Sequence, residues 1–506
     1  MVAQDRNASA ADASEGGDAR FAIVSNRGPV TFSRSESGER GYSRGAGGLV
    51  TALSAVSRSR GDAVWVSSAM SEEDVDVAKE SLHAPYEVED FKVVLVEHEE
   101  EAYDLMYNHL ANPLLWFVQH GLYDLPYAPE FDEDTKKAWE EGYVRVNRNF
   151  TEAVARILEA SEQGVPAILV HDYHLYMVPL FLRERLRESE ASGAFVSLFV
   201  HIPWPEYEGW RVLPRYIREG VLRGLLGADI VAFHTHRYAR NFVRTAREVL
   251  EVEVDEEKGV IHYEGREVWA RAYPISIDPE EFKELAQSEE VLKEEEELVK
   301  NLPGKLLLRV DRMDLSKNVV RGFEAYGRML ERHPQMQGEV TFLAQLQPSR
   351  GDIPEYVSYA EAIQTAVGEV NKKHGASSWE PIRLSMEDNF PRSVAAYKNY
   401  DALLVNAVRD GMNLVAKEAA VVNEKDGVLI LSEGAGAYEE LGEHAVTVNP
   451  FDVNEQAEAL YQALTMPEEE RARHAEALKH AVEENTIEEW VEAQLKDIAV
   501  YRERHG

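Results

Sequence analysis

Short apolar runs rich in β-branched residues recur along this chain with helix-forming stretches between them. That alternation constrains the fold more than any other feature. The first series covers residues 21–25, 63–66, 92–96, 167–170, 195–200 and 230–233. The second covers residues 305–310, 340–344, 382–384, 402–405, 427–431 and 445–448. A strand buried on both faces reads as a continuous apolar run, so the pattern argues for parallel sheets covered by helices on both sides. Two such series in 506 residues exceed one ordinary core. We expect an α/β protein of two doubly wound, Rossmann-like domains facing each other across a cleft. The boundary is expected in residues 273–279, where Pro274 and Pro279 follow the polar stretch 255–264. The first domain then spans 21–275 and the second 276–480, with 481–506 as a C-terminal helix packing back on the first. A single long helical pattern runs from Glu468 to Arg504, with Trp490 and Leu495 among its apolar positions.

Charge narrows the partners. Lys and Arg number 54 against 91 Asp and Glu, a formal charge of −37. Nucleic acid is disfavoured, because its binding surfaces need clustered positive charge. The acidity runs along helical stretches such as 289–297 and suits a solvated face. An anionic substrate must therefore be drawn to a local basic pocket against the overall field. The absence of cysteine excludes disulfides and thiolate metal sites. No apolar run reaches the roughly 18 residues a membrane span needs. Residues 1–20 are polar and lack the apolar core of a signal peptide, so a disordered tail and a cytoplasmic chain are expected.

Open parallel sheets bind ligands beyond the carboxyl ends of their strands. The residues that follow the apolar runs are therefore the candidates. In the first series these are Asn26, Arg27, His171, Asp172, His174 and His201. In the second they are Asp311, Arg312, Lys317, Arg350, Arg409, Asp410 and Glu433. Singly, Asp172 reads as well as a helix cap and His201 as a core histidine. Jointly, they set two polar sheet edges against each other, the usual lining of an interdomain ligand cleft.

The stretch 409–418 joins a buried strand to a helix. The first N–H groups of a helix lack intrahelical partners, and the helix dipole favours an anion there. Asp410 suits sugar hydroxyls, or else caps the helix. Glu418 suits a diol such as a ribose. Arg312 and Lys317 suit a diphosphate leaving group, or else surface ion pairs. The glycine-rich residues 45–49, with Gly48 among them, let backbone approach a ligand. Tyr107 and Trp116 offer flat faces to a sugar ring, or else fill the core. The one Gly-x-Ser-x-Gly match, residues 41–45 around Ser43, follows the polar stretch 33–40 and not an apolar strand run, and nothing completes His171 and His174 as a metal site. Hydrolysis by a triad or a metal is disfavoured, and neither cofactor nor metal is expected.

Longer motifs accompany these residues: Ser25-Asn26-Arg27, 142–147, His171-Asp172-Tyr173-His174-Leu175, His201-Ile202-Pro203, 224–229 and Ser349-Arg350-Gly351-Asp352. With them the chain resembles the trehalose-6-phosphate synthase family, retaining glucosyltransferases of the two-Rossmann GT-B type, from about Phe21 to the C-terminus. The resemblance implies glucose transfer from UDP- or GDP-glucose to glucose 6-phosphate, giving α,α-trehalose 6-phosphate. His201, Arg312, Lys317 and Asp410 would form the catalytic set. Arg312 and Lys317 would hold the donor diphosphate with backbone at Asn413 and Leu414. Glu418 would hold the donor ribose, Asp410 and His201 the transferred glucose, and Gly48 would lie in the loop over the donor. Arg27, Tyr107, Trp116 and Arg350 would form the glucose 6-phosphate pocket, and Asp172 would orient the acceptor sugar. The resemblance implies small-molecule partners and leaves a homo-oligomer open. Alternatives are glycerol 3-phosphate or a cyclitol phosphate as acceptor, and a silent sugar-phosphate sensor.

The chain departs from the family pattern in four places, one of them Trp204 of residues 201–205, where phenylalanine is usual. Asn318 stands where well-known bacterial members have Gly after Ser-Lys, and Ser276 where they have Gly after Pro-Ile. Gly434-Ala435-Gly436 replaces Phe-Ala-Gly. These departures resemble an actinobacterial-type branch that includes GDP-glucose users, so the donor base stays open.

Overall fold

Every one of the apolar runs forms a strand in the computed structural model, which describes residues 21–35, 38–45, 50, 53–54, 63–80, 84–159, 167–302 and 304–505. The expected N-terminal tail and Gly48 lie outside the described residues.

The first sheet has ten strands. Its parallel part runs, side by side, Arg266–Ala272, Ile230–Phe233, Val196–Phe199, Ala167–His171, Phe21–Val24, Val64–Ser68 and Phe91–Val96. Antiparallel strands finish both edges: Tyr86–Val88 on one, Val260–Tyr263 and Glu253–Asp255 on the other. The polar stretch 255–264, which reads in the sequence as the approach to a boundary, is instead the turn and second strand of a hairpin in this sheet. This hairpin leaves one face open, where the paired Glu253 and His262 are exposed, so the apolar signal is broken.

The second sheet is all parallel, in the order Ile382–Ser385, Val340–Gln347, Lys305–Arg312, Ala402–Val405, Val428–Ser432 and Val446–Val448. Its central strands are buried along almost their whole length, which is why they read so clearly. The α/β class and the opposed pair of doubly wound sheets are as the sequence implies.

The chain leaves the first sheet at Ala272 and enters the second at Lys305 by way of helices Pro279–Leu285 and Glu289–Asn301. The C-terminal helical pattern is two helices, Glu468–Glu484 and Ile487–His505. Thr486 breaks it: its N–H donates to Glu489 Oε2 at 2.9 Å, and the Glu489 N–H donates to Thr486 Oγ at 3.4 Å, a reciprocal helix-start signal. The last helix lies on the first sheet, with Trp490 against Phe199 and the Tyr501 hydroxyl donating to the Glu267 carbonyl at 2.7 Å. Where the chain returns, the Ile487 N–H donates to the Ile277 carbonyl at 3.0 Å, so the two crossings run side by side. A shared apolar cluster holding Phe199, Trp490, Leu308 and Met412 joins the sheets. No helix among the described residues is long and apolar enough to cross a membrane.

Candidate active site

Three neighbouring parallel strands of the second sheet end together. Arg312 pairs in register with Gln347, so Arg312 and Arg350 leave adjacent strands at the same edge, with the turn after Val405 beside them. Lys317 points into that turn. Its Nζ lies 2.6 Å from Asp410 and 3.4 Å from Asp311, and its side chain is only 12% exposed. It is not a surface ion pair. Burial pulls an ammonium down, but Asp410 and Asp311 outweigh it and hold Lys317 above its ordinary value. Likewise, burial would raise the Asp410 carboxyl, and Lys317 holds it below its ordinary value. Beneath them Arg309, fully buried, donates to Asp311 at 3.0 Å and to Asn406 at 2.6 Å.

Asp410 does not cap the helix Val415–Val422. The N-cap position is Leu414, which brings no side-chain bond; one residue earlier, Asn413 Oδ1 accepts the Ala416 N–H at 3.3 Å, while its Nδ2 donates to Asp410 at 3.1 Å. Leu414 begins the helix and Glu418 stands in its first turn. Burial pushes the Glu418 carboxyl up to about 7, against a hydrogen bond from Tyr397 at 3.2 Å. Gly411 has a steric reason: a Cβ there would lie 2.0 Å from the His201 carbonyl oxygen. The second-sheet turn thus touches the first-sheet strand end.

On the first sheet, Asp172 and His201 leave adjacent strands, and the His201 N–H donates to Asp172 at 3.3 Å. Burial pushes the Asp172 carboxyl up to about 7 against that bond and one from Tyr173. His201 sits between two other imidazoles, 3.0 Å from His171 and 3.3 Å from His234. Burial holds all three well below the ordinary histidine range, so the chain of rings is neutral. Both ring nitrogens of His201 are engaged, and presenting one to a sugar requires opening one of these bonds.

Arg350 crosses the cleft. It donates to Asp314 and Tyr356 of its own half, both at 2.6 Å, and to Asn112 at 3.0 Å and Tyr173 at 3.2 Å of the other. Its guanidinium lies 3.9 Å over Trp116, and Arg312 lies 5.4 Å from the same ring. Tyr107 and Trp116 share the helical segment Leu105–Trp116, which has π geometry. Nine residues span about two and a half α-turns and would put them on opposite sides. The wider i→i+5 turns bring both to the Tyr173-His174 side. Arg27 lies 5.8 Å over Tyr107 and has no carboxylate partner among the described residues. Burial would raise the Tyr107 hydroxyl, but Arg27 outweighs it and holds it below its ordinary value.

The structure thus gathers Arg27, Tyr107, Trp116, Asp172, His201, Arg312, Lys317, Arg350, Asp410, Asn413, Leu414 and Glu418 along one cleft. Among the described residues no group of three His, Cys, Asp or Glu is placed to hold a metal. Sequence reasoning passes over Asn112, Tyr173, His234 and Asp314. Two signals were available: Tyr173 stands inside the 171–175 motif, and Asp314 stands between Arg312 and Lys317. The departure at Asn318 has a physical account. It adopts a left-handed backbone, φ 59°, which asparagine tolerates, and its amide donates to the carbonyls of Asn406 at 3.0 Å and Pro450 at 2.6 Å. At Gly434 a Cβ would lie 2.2 Å from the Val408 carbonyl, where a phenylalanine would not fit. Ser276 is buried, and nothing in the structure explains it.

Opposed α/β sheets with a cation pair at the carboxyl edge of the second define a GT-B glycosyltransferase. Residues 19–500 match the family described as Glycosyltransferase family 20, and the chain belongs to that family. An Aspergillus fumigatus protein named alpha,alpha-trehalose-phosphate synthase (UDP-forming) 1 is 35% identical over 95% of this chain and 90% of its own length. The E. coli trehalose-6-phosphate structure bound with UDP-2-fluoro glucose superposes with a TM-score of 0.80 at 28% identity, covering 94% of this chain and 98% of that one. A Burkholderia xenovorans trehalose-phosphate synthase in complex with glucose-6-phosphate superposes with a TM-score of 0.79 at 28% identity, covering 95% and 100%.

Proposed function

We propose that this chain is a retaining glucosyltransferase that moves glucose from UDP-glucose to glucose 6-phosphate, forming α,α-trehalose 6-phosphate and UDP. One observation carries the reading: Arg312, Lys317 and Asp410 cluster at the second-sheet edge, and beside them Arg350 reaches Trp116 of the first half, whose helical segment also carries Tyr107 under Arg27. The first cluster suits a diphosphate and its sugar, the second a sugar phosphate. Relatives named as UDP-forming support uridine as the base.

In this reading the bond from the glucose anomeric carbon to the diphosphate breaks and an acceptor hydroxyl oxygen takes its place on the same face. The hydroxyl proton passes to a donor phosphate oxygen. Arg312 and Lys317 offset the charge that grows on the departing diphosphate. Asp410, kept anionic by Lys317, accepts hydrogen bonds from the donor sugar, and Glu418 takes the ribose. Arg27 and Arg350 hold the acceptor phosphate and Asp172 its sugar, so catalysis is positioning plus charge stabilisation. The cations supply that stabilisation without a metal, and turnover unchanged by a chelator is the expected check.

The test is a product assay with glucose 6-phosphate and either UDP-glucose or GDP-glucose. Trehalose 6-phosphate formed from UDP-glucose is expected. Product from GDP-glucose alone would overturn the base, and product only with glycerol 3-phosphate or a cyclitol phosphate would overturn the acceptor.

A further inference from the structure

Asp314 stands out among the buried polar groups that the reaction above leaves without a role. Its side chain is 0% exposed and lies in the loop between Arg312 and Lys317. One oxygen accepts the Ser316 N–H at 3.0 Å and the Ser316 hydroxyl at 2.8 Å, which fixes the carboxylate to the loop. The other accepts Arg350 Nη1 at 2.6 Å and the Tyr356 hydroxyl at 2.9 Å, and lies 3.9 Å from Arg312.

Arg312 and Arg350 share the face of Trp116. Two guanidinium groups this close repel, and a buried one without a counter-charge is costly. Asp314 neutralises them from below. Burial would raise its carboxyl, yet Arg350 and Arg312 hold it far below the ordinary carboxylate range, so it carries full charge across the working pH range. We propose that Asp314 is a positioning residue: it fixes the Arg350 guanidinium for the acceptor phosphate and makes that grip depend on the loop that carries the donor cations. This rests on the acceptor reading above. The donor cation Lys317 takes its counter-charge from Asp410 and Asp311 instead, and Arg312 lies 3.9 Å from Asp314 against 2.6 Å for Arg350, so Asp314 acts mainly on the acceptor side.

The test is calorimetric titration of the full chain with glucose 6-phosphate and, separately, with UDP. In Asp314→Asn, glucose 6-phosphate should bind about tenfold or more weaker, because a charged hydrogen bond is lost, while UDP stays within about twofold. Tyr356→Phe removes one partner of the same carboxylate and should weaken glucose 6-phosphate about twofold to fivefold. It decides the matter alone where Asp314→Asn does not fold. A merely structural aspartate would weaken both ligands together, and that result, or unchanged glucose 6-phosphate binding in both variants, would overturn the proposal. Unsubstituted protein that binds UDP but no glucose 6-phosphate would overturn the acceptor reading itself, and this proposal with it.

Discussion

Lys317 and Arg350 are both buried cations near the ends of neighbouring strands, yet they are neutralised differently. Lys317 is held by Asp410 and Asp311, and behind them by Arg309 and Asn406, all from the second half of the chain. Arg350 is held by Asp314 and Tyr356 from that half, but by Asn112, Tyr173 and the Trp116 ring from the other. The donor cation Lys317 is therefore neutralised within one sheet, whatever the first sheet does. The acceptor side exists only where the halves meet. A cleft built this way can keep Lys317 in place while the acceptor pocket opens.

The largest effect is expected for Lys317→Ala. Removing charge stabilisation at the leaving group should cut kcat by about a hundredfold or more, with the glucose 6-phosphate KM near that of the unsubstituted chain. An acceptor KM that moves as much as kcat would break the comparison. Next comes Arg350→Ala, expected to raise the glucose 6-phosphate KM about tenfold or more and to leave the nucleotide-glucose KM within about twofold. Steady-state kinetics with each substrate varied in turn checks both.

Much of this was legible in the sequence. A strand buried on both sides leaves an uninterrupted apolar run, and Lys305–Arg312 and Ala402–Val405 were plain for that reason. The residues just after such runs land at one sheet edge by topology alone, which is how Arg312, Lys317 and Asp410 come together. What was hidden depends on other things. The edge strand Glu253–Asp255 is short and carries two carboxylates, so it reads as loop. Asn112 and Tyr173 look like ordinary core polar residues until Arg350 arrives from more than 170 positions away. The pairing of Tyr107 with Trp116 needed π turns that no periodicity announces.

The donor side can be sharpened by pH. A carboxyl raised to about 7 in the fold binds its proton more tightly there than in the unfolded chain, where its ordinary value is 4.5. Its contribution to stability therefore falls as pH rises between those values. Its ionised form, the better acceptor for a diol, grows over the same window. UDP binding should then tighten from pH 6 to pH 8, and Glu418→Gln should flatten that profile with the acceptor profile unchanged; a UDP profile that stays steep in Glu418→Gln would remove the ribose role. The smallest effect is expected for Asn318→Gly. The backbone conformation is kept, but two buried amide bonds are lost, for a cost of about 1–2 kcal/mol in unfolding free energy. Denaturant titration measures it, and neither KM should move more than about twofold.

The chain passes between its halves twice, and the two passages are bonded to each other where Ile487 meets Ile277. A panel hung from one cord can spin as well as swing; hung from two cords side by side, it can only swing. Two passages bonded to each other resist a twist between the halves more than one passage would. The seat of the Arg350 guanidinium over Trp116, made between the halves, depends on that resistance, so the alignment of the two substrates is a matter of mechanics before it is one of chemistry.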